Sequence, residues 1–206
     1  MKTKKATISA YKYINDAHPD WVGDMAWDLL MFVTAKFYSL ENKEDGPAWS
    51  PAAIKPGKTE KNKNVTDVGA LVLNFNDQCA YSVQQALEDL KWNSFMHSTF
   101  SNTIEKMHFQ VIIQTSRPIK PWEYYFLLDY ANEKLGGGAT ISPHDISRRY
   151  LLPCHHVDRG DDAFAVEMEG SPLNVDGVID KLEESCCKRD ASKAEKNSAC
   201  TWASSE

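Results

Sequence analysis

From Val68 to Asp77 the chain reads Val-Gly-Ala-Leu-Val-Leu-Asn-Phe-Asn-Asp. An uninterrupted apolar run that ends in short polar residues is a buried strand, and it must find a place inside a sheet. Alternation along the strand puts Asn74 and Asn76 on one face and Phe75 on the other. Two oxygen-bearing side chains then project together from a strand end, the layout in which many catalytic sites hold divalent metal. Such sites use Asp, because a carboxylate brings negative charge as well as an oxygen. Here both positions are neutral Asn, a weak ligand for magnesium. The layout is that of a catalytic site and the residues are disarmed.

The rest of the chain bounds what this strand can belong to. At 206 residues there is enough chain for one sizeable core with a tail or a small lobe. No run of about 18 apolar residues occurs, so no membrane span is expected. Met1-Lys2-Thr3-Lys4-Lys5 carries charge with no apolar run behind it, which argues against a secretory signal. The five cysteines are scattered and odd in number, which suits a reducing, cytoplasmic setting. Cys154-His155-His156 and Cys186-Cys187 match no zinc-ligand spacing. A net charge of −6 excludes a protein coated in basic surface, though not a local basic groove. Lys55, Lys58, Lys61 and Lys63 cluster just ahead of the central strand. Alone, such a cluster is a solvated loop.

The pattern predicts a helix over Pro19 to Tyr38 capped by Asp20, then a long loop from Glu41 to Asn64. After the strand Ala70–Phe75 it predicts a helix near Ser82–Leu90, an apolar piece Ser94–His97 and a polar turn Ser98–Lys106. A Val- and Ile-rich strand follows at His108–Thr115, stopping at Arg117-Pro118, and a helix near Trp122–Leu135 ends in Gly136-Gly137-Gly138. A short helix or turn about Pro143–Arg149, a strand or extended run Tyr150–Pro153 and a strand at Ala163–Met168 complete the core. From about Asp190 the composition turns to Ser, Lys, Ala and Glu, a tail without a fold of its own. Alternating strands and helices imply an α/β or α+β sheet domain.

Taken singly, the polar residues have ordinary explanations. His108 is a structural histidine at a strand start, Asp145 a helix cap, and Arg148-Arg149 surface charge, although an arginine pair beside a carboxylate also suits phosphate. Their order is more telling. The aliphatic run ending in Asn74-Phe75-Asn76, then Ser98-Thr99-Phe100-Ser101, Lys106-Met107-His108, Ser116-Arg117-Pro118-Ile119 and Asp145-Ile146-Ser147-Arg148-Arg149-Tyr150-Leu151-Leu152-Pro153 follow one another along the chain. This succession resembles the archaeo-eukaryotic primase superfamily, specifically the primase-polymerase domains of phages, plasmids and other mobile elements. Ala48-Trp49-Ser50-Pro51 ahead of the lysine-rich loop is similar to their lead-in.

The resemblance implies a central mixed sheet of the RNA-recognition type flanked by helices. It divides the chain into a helical segment 1–44 packed on the core, a core over 45–178 and a helical or disordered tail over 179–206. It implies template-directed nucleotidyl transfer from nucleoside triphosphates on single-stranded DNA, with Mg²⁺ or Mn²⁺ as cofactor and a replicative helicase as a partner. Asn74, Asn76 and Asp145 stand at the catalytic metal positions; Ser98, His108, Arg148 and Arg149 stand near the nucleotide; Lys55, Lys58, Lys61 and Lys63 line a DNA groove. Asp77 is expected to face away from Asn74 and Asn76 if the strand stays regular. With both Asn as Asp the run would be Leu-Asp-Phe-Asp-Asp, an ordinary family sequence, so the pair reads as an inactivated form, introduced or inherited.

Two other readings stay open. His108-Phe109-Gln110 also matches the His-hydrophobic-Gln metal motif of rolling-circle nickases, in which a tyrosine attacks DNA. Tyr150, or Tyr130 with Lys134, would then be the nucleophile. The other is a primase-like fold kept as a DNA-binding initiator without catalysis.

Overall fold

The computed structural model describes residues 5–140 and 146–184. Twelve strands occur there in chain order. β1 (Lys5–Tyr11), β2 (Trp21–Ala26), β3 (Tyr38–Leu40) and β4 (Ala48–Ser50) come first, followed by β5 (Ala52–Ile54) and β6 (Val65–Asn76). β7 (Ser94–Ser98), β8 (His108–Ile119), β9 (Ala139–Thr140), β10 (Tyr150–Leu151), β11 (Cys154–His156) and β12 (Ala165–Met168) complete the set. The helices are α1 (Trp27–Thr34), α2 (Ala80–Leu90), α3 (Tyr124–Lys134) and α4 (175–184).

β6 and β8 are the spine, twelve residues each and paired antiparallel. Their Val and Ile content favours the pleated, buried state. They sit inside a six-stranded sheet of order β12-β7-β8-β6-β5, with β9 on the end of β6. Every strand pair in this sheet is antiparallel; parallel pairing occurs between β3 and β11 and at two single bridges. Both faces are covered. Leu71, Leu73 and Phe75 with Val111 and Ile113 pack under residues of α2, α3 and α4, where Phe75 stacks on Phe109 at 5.1 Å. Ala70 and Val72 with Ile112 and Phe95 pack on the other face against Ala6, Ile8, Trp27, Leu30 and Trp49. That second cover is a four-stranded sheet, β10-β4-β1-β2, with α1.

Gly69 lets the two sheets meet. A Cβ there would lie 2.4 Å from Thr7 O, so only glycine admits β1 at this crossing, beside a register shift in β6. The chain passes between the sheets at Pro51, which joins β4 in one to β5 in the other.

Two predicted segments come out differently. The helix expected over Pro19–Tyr38 is a strand, β2, followed by the short α1. Trp21 to Ala26 pair residue by residue with β1, and that hairpin prevails over the helical spacing of the aromatics. Asp20 does not cap a helix; its carboxylate accepts from the Lys12 N–H at 2.6 Å and closes the hairpin turn. The loop expected over Glu41–Asn64 contains the buried strands β4 and β5. The central strands, α2 and α3 form close to where the pattern puts them, and Gly136, Gly137 and Gly138 all take positive φ after α3. The tail expected from Asp190 lies outside the described residues. Among the described residues no helix is long and apolar enough to cross a membrane.

Candidate functional site

Strand register assembles the site. Asn74 lies opposite Gln110 and Asn76 opposite His108; His97 of β7 lies opposite Gln110, and Thr140 of β9 opposite Asn74. Directly paired residues share a face. A polar row of His97, Gln110, Asn74 and Thr140 therefore crosses four strands, with His108 and Asn76 forming the next row. Phe75 points the other way and is fully buried, as the alternation predicts. These rows floor a cleft of about 580 Å³ whose opposite wall includes Arg148, Tyr150, Leu152 and Cys154.

Hydrogen bonds fix the histidine. Asn76 Nδ2 donates to Thr140 Oγ1 at 3.0 Å, which leaves Asn76 Oδ1 2.7 Å from His108 Nδ1. An amide oxygen only accepts, so Nδ1 carries the hydrogen and Nε2 remains available. The backbone N–H of His108 donates to Asn102 Oδ1 at 2.8 Å, and Asn102 Nδ2 donates to Asp162 O at 2.7 Å. The polar turn before β8 is thereby pinned.

Asp77 corrects the expectation that it faces away. Regular strand ends at Asn76, and Asp77 takes φ +58°, a left-handed conformation that Asp tolerates better than most residues. It lines the cleft, with its carboxylate 3.7 Å from Lys106 Nζ.

The other expected residues divide. Arg148 lines the cleft with its guanidinium 5.7 Å from the Tyr150 ring centre. Arg149 reaches the same cleft but is engaged: it pairs with Glu60 at 2.9 Å, lies over the Tyr11 ring and donates to Asp16 O. Ser98 does not reach it. Its register partner is Phe109, on the opposite face, and its hydroxyl accepts from the Phe164 N–H at 3.0 Å. Asp145 lies outside the described residues.

Lys55, Lys58, Lys61 and Lys63 are all exposed on the β5–β6 loop. That loop is fastened to the segment before β10: Ser147 donates to Asn62 Oδ1, and Glu60 holds Arg149. Between loop and segment lies a recess of about 230 Å³ that shares Arg148 and Arg149 with the main cleft.

With this arrangement in view, one solved structure is informative. The AEP domain of the primase-polymerase of cyanophage S-2L matches over 87% of this chain and 89% of its own, with a TM-score of 0.50 and 14% identity. The fold is primase-polymerase-like. No protein-family model matches the chain, and no curated protein does.

The described donors of this cleft do not fit a two-metal centre. Asn74 and Asn76 are uncharged, and the Asn76 oxygen already accepts from His108. Among the described residues no three of His, Cys, Asp and Glu gather closely enough to hold an ion. Cys154 is buried, which pushes its thiol up to about 11 and keeps it protonated. The nickase tyrosines are placed apart. Tyr130 packs near Trp92 under the opposite face of the sheet, while Tyr150 is buried against Trp49 at the cleft wall.

Sequence reasoning missed His97 and Thr140, set Asp77 aside, and took up Gln110 only in the nickase motif. Gln110 was within reach, since alternation from His108 puts it on the same face. His97 and Thr140 required the cross-strand register.

Proposed function

We propose that this chain is a DNA primase-polymerase-type replication protein whose cleft takes a nucleoside triphosphate beside a single-stranded DNA template, and that with Asn74 and Asn76 it does not polymerise. The observation that carries this reading is the convergence of Asn74, Asn76, His108 and Arg148 on one cleft of a primase-like fold. The Arg148 fork faces phosphate; it matches phosphate oxygens, and no carboxylate among the described residues pairs with it, while His108 turns an acceptor nitrogen, Nε2, toward the same cleft. The exposed lysines of the β5–β6 loop extend positive charge from the adjoining recess along the template path. Asn74 and Asn76 leave little hold on Mg²⁺ or Mn²⁺, so binding persists where turnover is lost.

A silent, strand-binding initiator is the second reading, favoured by the Asn76–His108 bond, which engages an oxygen that a metal would need. The nickase reading loses Tyr130, which is on the wrong face of the sheet for His108.

The test is Asn74→Asp combined with Asn76→Asp. Primer extension with Mg²⁺ or Mn²⁺ should rise on the order of a hundredfold or more in the double variant, because two restored carboxylates recover several kcal/mol of charge stabilisation. Neither single change should suffice. A double variant that extends no primer on any template with either ion removes the primase reading of this site.

A further inference from the structure

Two polar side chains on the floor of the cleft have atoms without hydrogen-bond partners among the described residues. His97 is 1% exposed; its Nδ1–H donates to Ser98 O at 2.8 Å, and its Nε2 is buried and open. Gln110 is 7% exposed, and its Oε1 is likewise buried and open. The two are direct cross-strand partners, and both line the cleft. Leaving a buried acceptor unpaired is costly, and native structures keep few such atoms. A structural pair closes on itself, as Asn93 Nδ2 does by donating to Gln114 Oε1 at 2.9 Å farther along the same sheet. His97 and Gln110 do not.

Burial holds His97 neutral, with its pKa lowered to about 4, so Nε2 offers a lone pair and no proton at neutral pH. Both open atoms are acceptors. The cleft that they floor has the volume of a small-ligand site and an apolar wall at Tyr150 and Leu152.

We propose that His97 and Gln110 form a donor-reading subsite, accepting hydrogen bonds from a neutral N–H or O–H edge of a bound nucleotide. Arg148 holds its phosphates in the same cleft. The subsite rests on the nucleotide reading above and adds what it selects: a base amino group or a sugar hydroxyl. A site that hydrogen-bonds such a group rejects analogues lacking it, because its own acceptors are then left unpaired.

Metal-free equilibrium binding of ATP, dATP and purine riboside triphosphate to the full chain tests this. The proteins compared are wild type, His97→Leu, Gln110→Leu and Arg148→Ala. Gln110→Leu should keep or raise the melting temperature, since it removes an unpaired buried acceptor, whereas His97→Leu also gives up the bond to Ser98 O. Each should weaken the preferred nucleotide about tenfold and erase the preference among the three. Loss of a preference for ATP over dATP identifies the sugar hydroxyl as the donor. Loss of a preference for ATP over purine riboside triphosphate identifies the base amino group. Arg148→Ala should weaken all three alike. Wild-type affinity and preference in both leucine variants would overturn the subsite while Arg148→Ala still upheld the phosphate end. A melting temperature lowered by Gln110→Leu would mark the pair as structural and overturn it too. Wild type that binds none of the three overturns the nucleotide reading together with the subsite.

Discussion

Gln110 and Gln114 lie one helical turn's count apart in sequence but on one face of a single strand, β8, and both are buried. Gln114 accepts from Asn93 at 2.9 Å, whereas the Gln110 oxygen accepts from nothing described. The contrast extends to the ends of the strand. Beyond Gln114, Arg117 forks onto both oxygens of Glu123 at 2.8 Å and reaches Asp176, while the Lys120 N–H donates to Glu123 as well. Beyond Gln110, at the β7–β8 edge of the cleft, His97 leaves a nitrogen open. One end of β8 spends its polar groups on joining α3 and α4 to the sheet; the other keeps acceptors unpaired at a cleft. The same residue types therefore mean stability in one place and recognition in the other, and partner satisfaction separates them.

The strongest way to break this comparison is at the satisfied end. Glu123 is almost wholly buried, and the Arg117 guanidinium beside it holds its carboxyl below the usual carboxylate range. Arg117→Ala leaves that charge buried without its partner. Unfolding free energy should fall by about 3 kcal/mol, measured by urea denaturation, while nucleotide affinity of the folded protein stays unchanged. A loss under about 1 kcal/mol would reduce the network to an ordinary surface pair.

The next effect belongs to the open end and is read through pH. The folded state holds His97 at about 4, against about 6.5 for an unfolded histidine. The unfolded chain then binds the proton more readily, so stability is complete above pH 6.5 and drains away as pH falls towards 4. The loss from this one group is ~3 kcal/mol over that window. His97→Leu should flatten this part of the profile, and a slope that persists in the variant would assign the loss elsewhere. The depressed Glu123 carboxyl has the same sign, with its stability lost in the carboxylate range and below.

The spine was legible because its signals are local. β6, β8, α2 and α3 are long runs with a clear period, bounded by Gly, Pro or polar residues. β4 and β5 are three residues each, Ala-Trp-Ser and Ala-Ala-Ile, and owe their strand form to pairing with β1, β6 and β10. β2 opens a segment whose aromatics, Trp21, Trp27 and Phe32, suggest a helix, and it is a strand because β1 pairs with it. Within the site, Asn74, Asn76 and His108 were legible because alternation sets their face. Ser98 was misplaced by parity: its neighbours His97 and Thr99 face the cleft in its stead. Asp77 escaped because one left-handed residue ends the alternation, and His97 escaped because register between strands is a tertiary fact.

The smallest expected effect sharpens what an exposed, satisfied group does at the open end. Thr140 and Asn76 are both exposed, so Thr140→Val should change stability by no more than about 0.5 kcal/mol. Its consequence lies in the histidine. With the Thr140 hydroxyl present, the Asn76 amide nitrogen has an acceptor and its oxygen faces His108 Nδ1. Without it the amide is free to turn and present N–H instead, which favours the neutral tautomer with hydrogen on Nε2. Nitrogen-15 NMR of the ring should show hydrogen on Nδ1 in the wild type and a mixture in the variant. A wild-type ring protonated on Nε2 would mean that Asn76 does not orient His108, and that the nitrogen facing the cleft donates where an acceptor is expected.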